Sequence, residues 1–348
     1  MVTTKRQDHI LAALRAEGGA SRENIERYLL SVDVHCSKVT LLRDLEKLVA
    51  AGLVERSGTG RATTYAVSAR SSLLIPVDVR DYFSKEADER RLKRDFFNFD
   101  IFSDLHHLLT PQELEEIDTL NATFRQNRAR LTPKLLQKEF ERLTVELAWK
   151  SSRIEGNTYT LLDTERLLKE NIAAEGKTAE ETRMVINHKK ALEYVLESPA
   201  YYRGITVPKI EEIHALLTDG LGVTRGIRTG MVGIIGTNYR PLDNRFQIRE
   251  ALEKLAERIN TTENSTEKAL IAVLMVSYIQ PFEDGNKRTA RILGNAILLA
   301  GDCCPLSYRS VDEVEYKKGI VLFYEQNNIS YFKQLFLEQV RMAVSKYF

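Results

Sequence analysis

Apolar residues recur at helical spacing through most of the chain, and the breaks in that rhythm mark its parts. Over 6–16, Ile10, Leu11 and Leu14 share one side, and Gly18-Gly19 ends the helix. Ser21 suits the N-cap of a short helix over 22–30. Ser37 suits that of a third over 38–50, with Val39, Leu42, Leu45 and Leu48 at helical spacing. The period then changes to two. Residues 53–56 and 64–67 read as the strands of a hairpin turning through Gly58-Thr59-Gly60. Residues 71–102 mix Pro76, many charges and the aromatics Phe96, Phe97 and Phe99, and read as a linker. From about 103 the pattern is helical almost everywhere, with starts at Pro111, Pro133, Thr160, Pro208 and Ser265. The run 269–279 is apolar nearly throughout, too short to cross a bilayer, and reads as a buried helix. One segment departs: 225–244 is glycine-rich, with a β-like run over 231–235, and precedes a helix over 248–259.

Composition changes this picture little. A length of 348 residues allows two or three domains, and 43% hydrophobic with 28% charged residues is ordinary for a globular protein. A net charge of +1 gives no whole-protein field toward nucleic acid or membrane. Cys36, Cys303 and Cys304 form no disulfide framework and suit a reducing compartment. With no signal-peptide core in MVTTKRQDHI, the expected location is cytoplasmic.

Within residues 1–70, the run SKVTLLRDLEKLVAAGLVERSGTGRATTYAVS resembles a winged helix-turn-helix domain. That resemblance implies a DNA partner. The third helix would be the reader, with Ser37, Lys38, Thr40 and Arg43 on its N-terminal half, and Arg56 and Arg61 of the wing would reach phosphates. Eleven Lys/Arg against eight Asp/Glu make the unit only mildly basic, so pairing with protein or a second copy is the alternative.

The most informative stretch is QPFEDGNKRTAR, Gln280 to Arg291. A tight acidic loop runs straight into a helix. Helix N-termini present free N–H groups and the positive dipole end, and Arg288 and Arg291, three apart, share a face. Guanidiniums that fork onto phosphate oxygens make a polyphosphate the natural guest, and Asp284 at the mouth suits a divalent metal. The stretch resembles the Fic signature His-Pro-Phe-x-Asp-Gly-Asn-Gly-Arg-x-x-Arg. Pro281, Phe282, Asp284, Gly285, Asn286, Arg288 and Arg291 match. The resemblance implies transfer of AMP from ATP to a protein hydroxyl. Mg²⁺ would sit on Asp284, the α- and β-phosphates on the N–H groups around Gly285, Asn286 and Lys287, and the outer phosphates on Arg288 and Arg291. Two positions depart: Gln280 replaces the family's proton-accepting histidine, and Lys287 replaces its second glycine. An amide cannot take a proton, so activity is expected to be impaired. Doc toxins, which move a phosphate, also carry Asn-Lys-Arg here, so phosphate transfer is a second possibility; Lys287 would either crowd the cradle or face solvent.

SSRIEGN, Ser151 to Asn157, resembles the family's inhibitory motif, with Ser151, Glu155 and Gly156 matching. It implies that a helix over about 133–156 packs over the site and that Glu155 occupies Arg291, displacing the terminal phosphate. The glycine-rich segment would be the family's flap, with Val232, Gly233, Ile234 and Ile235 pairing with a target segment like a strand. His214 is expected to pack or hydrogen-bond rather than replace the base. His106 and His107 are expected in a helix without zinc, and Trp149 as a core anchor. Asn187 and His188 have no assigned role. The whole is expected to be mainly α: a Fic-type helical bundle over 103–348 with a β-hairpin flap, a linker over 71–102, and a small winged helix before it. An alternative is a silent module that senses a nucleotide and passes its state to DNA. The oligomeric state stays open.

Overall fold

The computed structural model describes residues 4–68 and 71–347, the side chains of Arg61 and Ser72 excepted. The first unit has three helices, α1 (Lys5–Glu17), α2 (Arg22–Ser31) and α3 (Lys38–Ala50), and a small antiparallel sheet. Strand order is β1 (Ala20–Ser21), β3 (Thr64–Val67), β2 (Val54–Ser57). Thr4, Ser21 and Ser37 each accept a backbone N–H and start their helices. The short β1 was not foreseen, because two residues carry no periodic signal. In α3 the buried stripe is Leu41, Leu45 and Leu48, while Val39 is exposed and Leu42 half-buried. The expected stripe was therefore rotated, because a polar residue, Asp44, is also buried there. Asp44 accepts from Arg6 Nε at 2.5 Å and from Gln7 Nε2 at 3.3 Å, which pins α3 to α1.

Residues 71–104 hold three one-turn helices, α4 (Ser71–Leu74), α5 (Val79–Tyr82) and α6 (Ile101–Asp104). The expected linker is packed rather than loose. Leu73 and Phe97 are buried, and Ile329 N–H donates to Leu73 O at 2.8 Å. His106 and His107 follow α6 outside any helix, and His107 has φ +49°. Among the described residues no group of three or more His, Cys, Asp or Glu is placed to hold a metal.

The remainder is helical: α7 (Pro111–Arg130), α8 (Pro133–Ile154), α9 (Leu161–Glu170), α10 (Ala179–Glu197), α11 (Val207–Leu217), α12 (Arg245–Thr261), α13 (Ser265–Ile279), α14 (Asn286–Ala300), α15 (Glu313–Gln326) and α16 (Ser330–Tyr347). Threonine caps with a carboxylate three residues on start α7, α9 and α10. From Ala269 to Ile279 no residue of α13 is exposed, so it is the central rod, and α14 packs along it more extensively than any other pair of elements. Gly294 permits that approach; a Cβ there would stand 2.8 Å from Val273 Cγ2. Trp149 is only half-buried, with the Lys150 ammonium 5.4 Å from its ring centre, so it is not a core anchor. Residues 231–235 form no strand; the segment between α11 and α12 has only an isolated bridge, Arg240 to Phe96. The glycines and polar residues there leave the run without a neighbouring strand to pair with.

Candidate active site

The site lies where α13 ends, a six-residue loop turns, and α14 begins. Gln280 caps α13 in the left-handed region, φ +51°. Phe282 drops into the core and stacks on His214, ring centres 3.8 Å apart. Asn286 closes the loop. Its Oδ1 accepts Phe282 N–H at 2.9 Å, and its Nδ2 donates to Phe282 O at 2.8 Å and to Gln280 Oε1 at 3.0 Å. Gly285 has φ +81°, and a Cβ there would meet Thr218 Cγ2 at 3.0 Å, so both backbone and space require glycine. No side chain caps α14. Its first internal bond is Thr289 N–H to Gly285 O, which leaves the N–H groups of Asn286, Lys287 and Arg288 facing out.

Those groups open on a cavity of about 390 Å³. Its walls include Glu155, Asp284, Lys287 and Arg288, the run Val232–Ile235, and Tyr316 and Tyr324 of α15. Arg288 is almost fully buried and bonds Asp284 Oδ2 at 2.6 Å through Nη2; its Nη1 is buried without a partner. Arg291 is fully buried, and its Nη1 is likewise unpartnered. Two orphaned guanidinium nitrogens beside an uncapped helix end are what a polyphosphate would satisfy. The Asp284 carboxylate, two-thirds exposed, is the group placed to take a divalent cation shared with phosphate oxygens.

Glu155 ends α8 and reaches into this site. Its Oε1 accepts from Arg291 Nη2 at 2.7 Å, and its Oε2 lies 3.7 Å from Lys287 Nζ. Burial pushes its carboxyl up, yet Arg291, then Lys287 and Arg288, outweigh that and hold it down at about 2. Lys287 lines the cavity, and its ammonium flanks the glutamate. Ser151, one turn earlier, accepts Arg291 Nε at 2.8 Å through its hydroxyl and Nη2 at 3.0 Å through its carbonyl. Gly156, φ +98°, lets the chain leave the helix immediately after the glutamate.

His188 extends this network, and the sequence carried no signal for it. Its Nδ1 is 2.9 Å from Met184 O, so that nitrogen carries the proton, and Nε2 accepts from Ser151 Oγ at 2.7 Å. Hydrogen bonds thus run from Arg291 through Ser151 to a neutral His188. Burial above all, with Arg288 and Arg291 nearby, lowers its pKa to about 3. Asn187 serves the neighbouring turn, donating to Leu217 O at 3.1 Å and Asp219 O at 2.8 Å. His214 packs and hydrogen-bonds, as expected. Its Nε2 donates to Asp284 O at 3.0 Å, and burial lowers its pKa to about 4. At the position of the signature's histidine, Gln280 donates to Ser277 O at 2.6 Å and Tyr324 Oη at 3.4 Å, and accepts from Asn286.

The stretch 204–298 matches the model of the Fic/DOC family. Residues 204–298 are a Fic domain. Among named proteins, the chain is similar to the protein adenylyltransferase Fic of Nematostella vectensis, 30% identical over 170 residues, covering 48% of this chain and 40% of that protein. The Drosophila melanogaster protein of the same name is 28% identical over 159 residues, with 44% and 32% covered. The match thus spans well under half the length of these relatives. In fold, the chain is similar to Fic-1 (residues 134–508) of C. elegans, with a TM-score of 0.58 at 23% identity over 68% of this chain and 71% of that one. A Fic family protein of Desulfovibrio desulfuricans G20 superposes with a TM-score of 0.55 at 22% identity, over 68% and 74%. The helical Fic fold therefore extends well beyond the matched stretch. The Fic domain holds the loop, α13, α14 and the flap-like run, whereas Glu155 and His188 come from outside it.

Proposed function

We propose that this chain is a self-inhibited protein adenylyltransferase of Fic type, moving AMP from ATP to a protein hydroxyl, and that two devices hold it silent. The observation that carries this reading is Glu155 seated on Arg291 beside the uncapped end of α14. ATP phosphates belong on the Asn286, Lys287 and Arg288 N–H groups and on the spare nitrogens of Arg288 and Arg291. Glu155 takes the Arg291 fork and repels the terminal phosphate. Mg²⁺, when bound, would neutralise phosphate charge, with Asp284 as its protein ligand. In the reaction the target oxygen attacks the α-phosphorus, the bond to the β-phosphate breaks, and pyrophosphate leaves. The hydroxyl proton needs an acceptor. Gln280 offers an amide already bonded to Ser277, Tyr324 and Asn286, so the second device is a missing base, costing roughly 10²–10⁴ in rate. Target segments would pair with the open backbone of 231–235.

One observation favours a second reading. Gln280 is bonded into the loop rather than left idle, as suits a site that binds nucleotide without turning it over. In that reading residues 5–67 are a winged helix on DNA, with Lys38, Arg43 and Arg56 exposed on α3 and the hairpin and Thr40 half-buried against Ser37. The Arg61 side chain lies outside the described residues.

Label transfer from α- and γ-labelled ATP with Mg²⁺ tests both. The expected result is α-label on protein in Glu155→Gly with Gln280→His, and little in the unaltered chain or in Glu155→Gly alone. Label from the γ-position that Lys287→Gly abolishes would replace AMP transfer by phosphate transfer. ATP bound by every variant with no label would favour the sensing module.

A further inference from the structure

The run Met231–Ile235 is bracketed by two arginines, one of which lies outside the Fic domain. Among the described residues no hydrogen bond reaches Met231 through Ile235, and Met231 and Ile235 are 84% and 100% exposed. Immediately before it, Gly230 O accepts from Arg228 Nη1 at 2.5 Å, while Arg228 Nε donates to Gln280 O at 2.7 Å. Immediately after it, Gly236 O accepts from Arg90 Nη2 at 2.5 Å. The Arg90 side chain is 7% exposed and forks onto Glu325, a fully buried carboxylate of α15, at 3.0 Å from both Nε and Nη2. Tyr82 donates to the same carboxylate at 2.7 Å, and Lys93 N–H to Glu325 O at 2.8 Å.

The contacts continue along the stem. Asn238 Nδ2 donates to Asp88 Oδ1 at 2.9 Å, Arg240 N–H to Asp95 O at 2.8 Å, and the Arg240 guanidinium pairs with the Asp95 carboxylate. The segment 82–98 thus lies along residues 236–240 and is tied to α15, whose Tyr324 touches Gln280. The same segment leads back to β3 through α4 and α5.

We propose that Arg90 is a positioning residue for the flap: anchored on Glu325, it sets the far end of the open run 231–235, and segment 82–98 is the strap that carries the N-terminal unit's position to the mouth of the site. The proposal rests on the reading of 231–235 as the target-docking edge. A guanidinium suits the task because one planar group spans a carboxylate and a carbonyl together, which an ammonium does less well. Two clamped ends leave an extended backbone pre-set for a guest strand, lowering the ordering cost of docking.

Amide hydrogen exchange on the full chain tests the strap. Arg90→Lys keeps a cation beside Glu325 and so avoids an unpaired buried charge. Exchange over 236–240, where the Tyr239 and Arg240 N–H groups are hydrogen-bonded, should rise at least about fivefold, the equivalent of one lost hydrogen bond, with α13 and α14 unchanged. Asp95→Ala with Asn238→Ala, which removes exposed contacts only, should raise exchange over 236–240. Unchanged exchange in both variants, or a rise spread equally through α13 and α14, overturns the proposal. The docking reading is judged separately. Val232→Pro in the Glu155→Gly, Gln280→His background should lose α-label transfer; transfer retained would sink the docking edge whatever the exchange experiment shows.

Discussion

At the scale of single residues, charge and burial decide the state of the site. Glu155 stays ionised because three cations surround it, so its ion pair with Arg291 should persist until pH falls toward about 2. The histidines act in the opposite range. His188 and His214 are buried neutral, with pKa values lowered from 6.5 to about 3 and about 4. Between 6.5 and those values the unfolded chain binds protons that the folded chain refuses, so stability falls as pH falls. Each group should contribute a slope of about 1.4 kcal/mol per pH unit across its window. His188→Gln, which keeps hydrogen-bonding capacity without titrating, should remove one such slope in urea unfolding between pH 6 and 4.5, a range set by the cited values. Equal pH dependence in the two proteins would show that His188 is not the acid-sensitive group. The seven matching positions of the loop were legible because each residue type has a local reason to be there. His188 was not, since its partners Ser151 and Ser152 are 37 and 36 positions away.

Among elements, the α13–α14 pair carries the site, and it depends on close approach. Gly294 faces Val273, and Gly301 leaves room for Ser265, whose Oγ would stand 2.0 Å from an added Cβ. Gly294→Ala should destabilise the chain by about 1–3 kcal/mol, the usual cost of overpacking, read as a lower melting temperature with no change in helix content. A neutral or stabilising result would mean that α14 can shift outward, and the cradle with it. Helix starts were readable from Thr-Pro and Thr-x-x-Glu patterns, because caps are local chemistry. The flap's lack of strand pairing was not, because a β-like composition says nothing about whether a partner strand exists.

Across the whole molecule, one apolar cluster runs from Ile10 in α1 through Leu53 and Leu73 to α13 and α16, so the N-terminal unit is built onto the helical bundle. If residues 5–67 bind duplex DNA, Lys38→Ala with Arg43→Ala should weaken binding of the full chain and lower the slope of log affinity against log salt by about two. Absence of salt-dependent duplex binding by the unaltered chain would leave protein pairing as that unit's task. No described helix is long and apolar enough to cross a membrane.

The sequence by itself determined most of the helices and their caps and singled out the loop 280–291, because these rest on short-range periodicity and local chemistry; the pairing of Glu155 with Arg291 was implied only by a family resemblance, and across 136 positions it is the fold that makes it. Only the tertiary structure decided that Lys287 turns to Glu155, that His188 holds Ser151, and that Arg90 reaches both Glu325 and Gly236. Those contacts join residues 37 to 235 positions apart, and burial on a shared core, rather than any local preference, brings them together.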